Sequence, residues 1–222
     1  MDGTVAQLPH RRFTSHDLAR MVEAGLIDPD ERIELINGEI IDMGSEGEAH
    51  WSARAKLVNW LVRRLPESIM LAPDGPLRLS AENEPEPDFY LYAGDMNVND
   101  VRGESALLVV EISDTSLSKD KLVKAPLYAA HGVREYWIID LASRVTLVYR
   151  QPNTGNFPEP QLVAFDKPLD ITSAPGITIK LSEVLEREQW DRARISWPAQ
   201  CWRCFSGHGR ATSSLAPALP SQ

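Results

Sequence analysis

The sequence predicts an α/β fold: a central mixed β-sheet flanked by helices, with an N-terminal helix and a β-hairpin added to it. Three observations lead there. Residues 106–113 are apolar almost without interruption, as expected of a strand covered on both faces. Residues 49–65 repeat apolar side chains at spacings of three and four, the pattern of an amphipathic helix. Asn37-Gly38 separates two short apolar-rich runs, and both residues tolerate the positive φ that a two-residue hairpin turn requires.

Taken in order, residues 1–12 read as a disordered leader. Thr14 followed by Asp17 resembles a capping box, which opens a helix over 15–24 that stops at Gly25. Runs 32–36 and 39–43 form the hairpin. On the 49–65 helix, Trp51, Ala55, Val58, Leu61, Val62 and Leu65 make the apolar face, Arg54, Lys56, Arg63 and Arg64 lie mostly off it, and Pro66 ends it. Strands follow at 68–72, 76–81 and 88–92. Pro85 and Pro87 impose an extended approach to Asp88, because residues before proline avoid the helical region. A polar loop over 93–105 leads into the central strand. A helix over 119–131 stops at Gly132, and Pro126 makes it irregular by removing a hydrogen bond. Residues 135–140 and 144–150 pair as strands, 161–165 and 177–180 extend the sheet, and 181–188 form a short helix. Residues 13–190 therefore read as one domain, and 191–222, rich in Ser, Ala and Pro towards the end, as a disordered tail.

The composition is that of an ordinary soluble protein: 222 residues, 43% hydrophobic and 25% charged. No apolar run approaches the ~20 residues that span a bilayer, and no signal-type segment opens the chain. With two cysteines, Cys201 and Cys204, the chain suits a reducing compartment and reads as cytoplasmic. That Cys-x-x-Cys could bind zinc only with further ligands; His208 is a third candidate and a fourth is not evident. The net charge of −9 opposes binding of nucleic acid through a broad basic face, although a metal pocket is itself acidic and a bound cation reverses the local sign.

The chemistry concentrates in an ordered set. Asp88 opens a strand, Glu111 follows 23 residues later inside the apolar run, and Lys124 follows 13 residues after that on a helix. A carboxylate within such a run is costly to bury unless paired, hydrogen-bonded or metal-bound; the bland alternative is a Glu at the strand's exposed end or one paired with a cation. Two carboxylates on adjacent strands can converge on one hard cation, and Mg²⁺ is typically held by one or two carboxylates plus water and phosphate. Lys124 would offset charge in the transition state, or is simply a solvated helix lysine. Asp120 reads as a helix cap or a partner for a lysine, Glu34 and His50 as supporting or surface groups, Tyr136 and Trp137 as core aromatics, and Asp140 as a turn residue.

The segment from Val109-Val110-Glu111-Ile112-Ser113 through Lys119-Asp120, Lys124 and Pro126-Leu127-Tyr128-Ala129 to Gly132-Val133-Arg134-Glu135-Tyr136-Trp137-Ile138-Ile139-Asp140 closely resembles the Uma-type family of restriction endonucleases, within the PD-(D/E)XK nuclease superfamily. Glu34-Leu35-Ile36-Asn37-Gly38-Glu39-Ile40 resembles that family's N-terminal hairpin, Glu84-Pro85-Glu86-Pro87-Asp88 its first acidic motif, and His50 falls where the family carries a histidine. The resemblance spans about residues 12–188. It implies a restriction-endonuclease-like core and a Mg²⁺-dependent endonuclease, with Mn²⁺ as a substitute, acting on DNA as a homodimer. Asp88, Glu111 and Lys124 would be catalytic, with Asp88 and Glu111 holding the metal. The chain departs from the superfamily pattern at Ser113, where a lysine is usual. The resemblance implies that Lys124 replaces it from the helix, with Lys119 and Lys121 as competitors. The alternative function is a non-catalytic binding or dimerisation module on the nuclease fold.

Overall fold

The structure, a computed structural model, describes residues 11–186; the leader up to residue 10, the tail over 191–222 and the Cys201/Cys204 pair lie outside the described residues. The first helix, α1 (Ser15–Glu23), is closed by the capping box read from the sequence: Thr14 Oγ1 accepts from Asp17 N–H, and Asp17 Oδ2 accepts from Thr14 N–H. Strands β1 (Ile33–Ile36) and β2 (Glu39–Asp42) form the expected hairpin. Its two turn residues both have positive φ, 52° at Asn37 and 74° at Gly38. Gly38 is doubly constrained, because a Cβ there would lie 2.5 Å from Cβ of Arg12.

Helix α2 (Glu48–Val62) buries Ala53, Leu57 and Leu61, whereas Trp51 and Val62 are exposed. Of the expected apolar face, Leu61 is buried and Val58 and Leu65 pack against the core, while Trp51, Ala55 and Val62 turn outward and Ala53 and Leu57 take their place. Apolar residues surround this helix almost completely, so period alone does not choose between faces. What chooses is polar demand on the other side, where His50 and Arg54 meet carboxylates.

Next come β3 (Ile69–Pro73) and β4 (Phe89–Ala93). The strand expected at 76–81 is absent. This stretch instead bonds to the chain returning through 83–85, by Leu77 N–H to Pro85 O at 2.8 Å and Leu79 N–H to Asn83 O at 2.9 Å. Pro76, Pro85 and Pro87 lack the donors that a continuous ladder needs. The central strand β5 (Leu108–Ser113) is buried throughout.

The helical crossover after β5 has three parts: one turn, α3 (Leu117–Lys119), a π turn (Asp120–Lys124), and α4 (Ala125–Ala130). Ala125 N–H donates to Asp120 O across the wide turn, immediately before Pro126. The irregularity expected from that proline is thus taken up one turn earlier. Gly132, at φ 79°, ends α4 with Val133 N–H to Tyr128 O and Gly132 N–H to Ala129 O, the two bonds of a Schellman cap.

Strands β6 (Glu135–Asp140), β7 (Val145–Arg150) and β8 (Gln161–Ala164) complete a six-stranded sheet of order β3-β4-β5-β6-β7-β8. Only β5 and β6 are parallel, which is why a helical crossover joins them. Asp140 ends β6 as expected, its Oδ1 accepting from Ala142 and Ser143 N–H. The final pair, β9 (Leu169–Asp170) and β10 (Thr178–Ile179), forms a separate ribbon and does not extend the sheet. Its Leu169 and Ile179 join α2 and α5 (Leu181–Leu185) over one sheet face.

Alternation along β5 sorts the core. Leu108, Val110 and Ile112 face α2 and α5. Val109 faces the crossover helices with Tyr128 and Tyr136, and Glu111 shares its parity. Among the described residues no helix is long and apolar enough to cross a membrane.

Candidate functional site

Strand register brings the two sequence-identified carboxylates together. β4 and β5 pair with Phe89 opposite Val110 and Tyr90 opposite Val109. Continued by one residue, the register sets Asp88 opposite Glu111. Asp88 lies just before β4 and its Oδ2 accepts from Ile112 N–H at 2.6 Å. Both carboxylates are buried and line one cavity of about 240 Å³, together with Lys124, Lys119, His50 and Glu46.

Lys124 comes to Glu111 from the π turn. Its Nζ is 2.8 Å from Glu111 Oε1 and 2.7 Å from Glu34 Oε1. The Lys124 side chain is 3% exposed. Burial alone would lower its pKa, but Glu111 and Glu34 outweigh burial and hold it well above the ordinary lysine value, so it remains cationic. Tyr128 OH, one helical turn further, donates to the same Glu111 oxygen at 3.0 Å. Burial pushes the Glu111 carboxyl well up, against the opposing pull of Lys124.

Of the competing lysines, Lys119 pairs with Glu34 Oε2 at 2.6 Å, and Lys121 is exposed. Glu34 is fully buried in β1 and is neither a surface group nor remote from the site. Burial would raise its pKa, yet Lys124 and Lys119 bring it below the ordinary value. Asp120, also buried, accepts from Ser116 Oγ at 2.6 Å rather than pairing directly with a lysine.

On the α2 side a second group converges on Asp88. His50 Nε2 is 3.1 Å from Asp88 Oδ1, and its Nδ1 is 3.7 Å from Glu46 Oε2. Burial would lower the imidazole pKa, but its contact with Asp88 and the charges of Asp88 and Glu46 raise it. Donor atoms of Glu46, His50 and Asp88 lie within 4.8 Å of one another. Two carboxylates with one imidazole form a donor set that can hold a divalent cation, the imidazole favouring a transition ion over Mg²⁺. Glu46 was not identified from the sequence. It lies in the loop between β2 and α2, between Gly44 and Gly47, where nothing but its position four residues before His50 marks it. Of Arg54, Arg63, Arg64 and Arg78, only Arg54 reaches this group; Arg64 bonds Trp60 O and Arg78 pairs with Glu84.

Comparison with known proteins now adds a family. No curated protein matches the chain. Among solved structures it is similar to one described as a "putative nuclease belonging to DUF820" from Anabaena variabilis ATCC 29413. The TM-score is 0.58 and the identity 18%, over 74% of this chain and 95% of that one. At that identity the likeness is one of fold. The Uma2 family, described as "Putative restriction endonuclease", matches residues 16–183. Over most of its length, then, including every residue of the site just described, the chain belongs to the Uma2 family.

Proposed function

We propose that the protein is a metal-dependent endonuclease that hydrolyses phosphodiester bonds in DNA. The observation that carries this reading is the buried Lys124 ammonium set against Glu111, with Asp88 across the strand pair, in a member of a restriction-endonuclease family. Asp88 and Glu111 would hold the cation, with Glu46 and His50 available on the α2 side. When bound, such an ion supplies Lewis-acid polarisation of a phosphoryl oxygen and acidifies water.

The chain's own residues supply the rest. Ile112 N–H and His50 fix the Asp88 carboxylate, and Tyr128 fixes Glu111. Lys124, kept cationic by two carboxylates, orients the attacking water and offsets the negative charge that grows on the phosphate. Water adds to phosphorus and the ester P–O bond breaks, leaving one phosphate and one hydroxyl terminus. A homodimer, in a cytoplasmic setting, would supply two such sites for the two strands of a duplex.

A second reading, a non-catalytic binding or dimerisation module, is favoured by the net charge of −9 and by the full engagement of Lys124 with protein carboxylates. Incubation of supercoiled and linear DNA with Mg²⁺ or Mn²⁺ decides between them. Cutting that stops with EDTA and in Glu111→Ala supports the nuclease. Absence of cutting, with no calorimetric binding of either ion, supports the module.

A further inference from the structure

Arg54 makes an unusual set of contacts. One atom, Nη1, is 2.5 Å from Glu46 Oε1, 2.8 Å from Asp74 Oδ1 and 3.2 Å from Asp88 Oδ1. Two of these carboxylates, Glu46 and Asp88, belong to the Glu46–His50–Asp88 donor group. The guanidinium therefore engages two of the carboxylates that a divalent ion would need.

We infer that Arg54 is a resident competitor for the cation: it closes the Glu46–Asp88 pair in the metal-free protein and shifts onto Asp74 when a divalent ion enters. The inference rests on the proposed nuclease reading, which gives the cation its purpose. A small divalent ion approaches carboxylate oxygens to ~2.0–2.1 Å, so ion and guanidinium would stand within contact distance of one another, where like charges repel.

Three features single out competition rather than support. Asp88 keeps Ile112 N–H at 2.6 Å and His50 Nε2 at 3.1 Å without Arg54. Glu46 keeps Arg32 Nη2 at 2.6 Å. Neither ligand needs Arg54 in order to be positioned. The third partner, Asp74, lies outward on the turn after β3, with a side chain 54% exposed against 13% for Arg54. Asp74 N–H donates to Asp88 O at 3.2 Å, so the receiving carboxylate stays tied to the site while facing solvent. A short swing of the arginine would exchange two inner carboxylates for one outer carboxylate and water.

The test is Mn²⁺ binding to the full-length protein without DNA, by electron paramagnetic resonance of free Mn²⁺, paired with melting temperatures with and without Mn²⁺. Arg54→Met keeps most of the stem and removes the charge. It should bind Mn²⁺ about tenfold more tightly than the unaltered protein, and Mn²⁺ should raise its melting temperature more. Equal or weaker Mn²⁺ binding by Arg54→Met overturns the inference, since Arg54 would then support the ligands. Asp74→Asn removes the outer partner and should weaken Mn²⁺ binding, whereas unchanged affinity overturns the inference even if Arg54→Met does not fold. In the double variant the effect of Asp74→Asn should vanish; its persistence would mean a general loss of negative charge and would also overturn it. Binding with the wrong sign defeats this inference alone. Tight, correctly signed Mn²⁺ binding without DNA cutting defeats the nuclease reading alone, and absence of Mn²⁺ binding in every form defeats both.

Discussion

Lys124 on the π turn and Glu111 in the central strand stand 2.8 Å apart in a pocket where each is nearly sealed from water. A buried charge pair contributes little net stability, but removing one partner strands the other. Lys124→Met should lower cleavage at least ~100-fold, the order found when a buried charge-stabilising donor is lost. It should also destabilise the fold by about 3 kcal/mol, read from urea melts. Retained cleavage would remove Lys124 from the chemistry and return Lys119 to consideration.

Glu34 gives a pH signature. Its pKa is lowered on folding, because Lys124 and Lys119 outweigh the burial that would raise it. The ionised carboxylate is therefore stabilising above the unfolded-state value, about 4.3, and that stabilisation is lost as pH falls through the lower folded value. Glu34→Gln should be less stable than the unaltered protein at pH 7, and the gap should close below about pH 4. Equal gaps at pH 7 and pH 3.5 in chemical denaturation would contradict this.

Thr146 in β7 is fully buried and its hydroxyl has no hydrogen-bond partner. Such a group loses its hydration without compensation. Thr146→Val, close in shape, should stabilise the protein by about 1 kcal/mol, seen as a shift of the denaturation midpoint at constant slope. Destabilisation would mean that the hydroxyl has a partner after all.

Thr14 closes α1 through both bonds of its capping box. Thr14→Ala should cost about 1 kcal/mol without changing DNA cleavage, because α1 contributes no residue to the pocket around Glu111. Equal stability would show that α1 is held by other contacts.

What the sequence disclosed and withheld follows from the range of the interactions. The Asn37-Gly38 hairpin, the Thr14 cap and the Gly132 stop depend on a few adjacent residues, and each appears where its residues predict it. The β4–β5 pairing that opposes Asp88 and Glu111 is foreshadowed by one carboxylate that opens an apolar run and another that interrupts the next. Glu34 and Glu46 were not legible in the same way. Glu34 acquires its role from Lys119 and Lys124, far along the chain, and Glu46, in a loop with no periodicity to read, from Arg32 just ahead of β1 and Arg54 on α2. The face of α2 is legible only in its second half, at Val58, Leu61 and Leu65, because Trp51 and Val62 are as apolar as the residues it buries. The strand expected at 76–81 was lost to prolines whose missing donors matter only once a pairing partner is known.

The π turn at Asp120–Lys124 spends one residue more than a regular helical turn would. Deleting Val123, outside the pocket lining, would let an ordinary α-helix run through and would displace Lys119 and Asp120 by about 100° around the axis relative to Lys124 and Tyr128, whose own spacing of four residues is unchanged. Lys124 and Tyr128 would keep their mutual register on Glu111 while Lys119, which pairs with Glu34, and Asp120 pointed elsewhere. The frame of the candidate site is thus set by the count of residues in this crossover as much as by their identity, and a change in that count would rearrange the site with every named side chain still present.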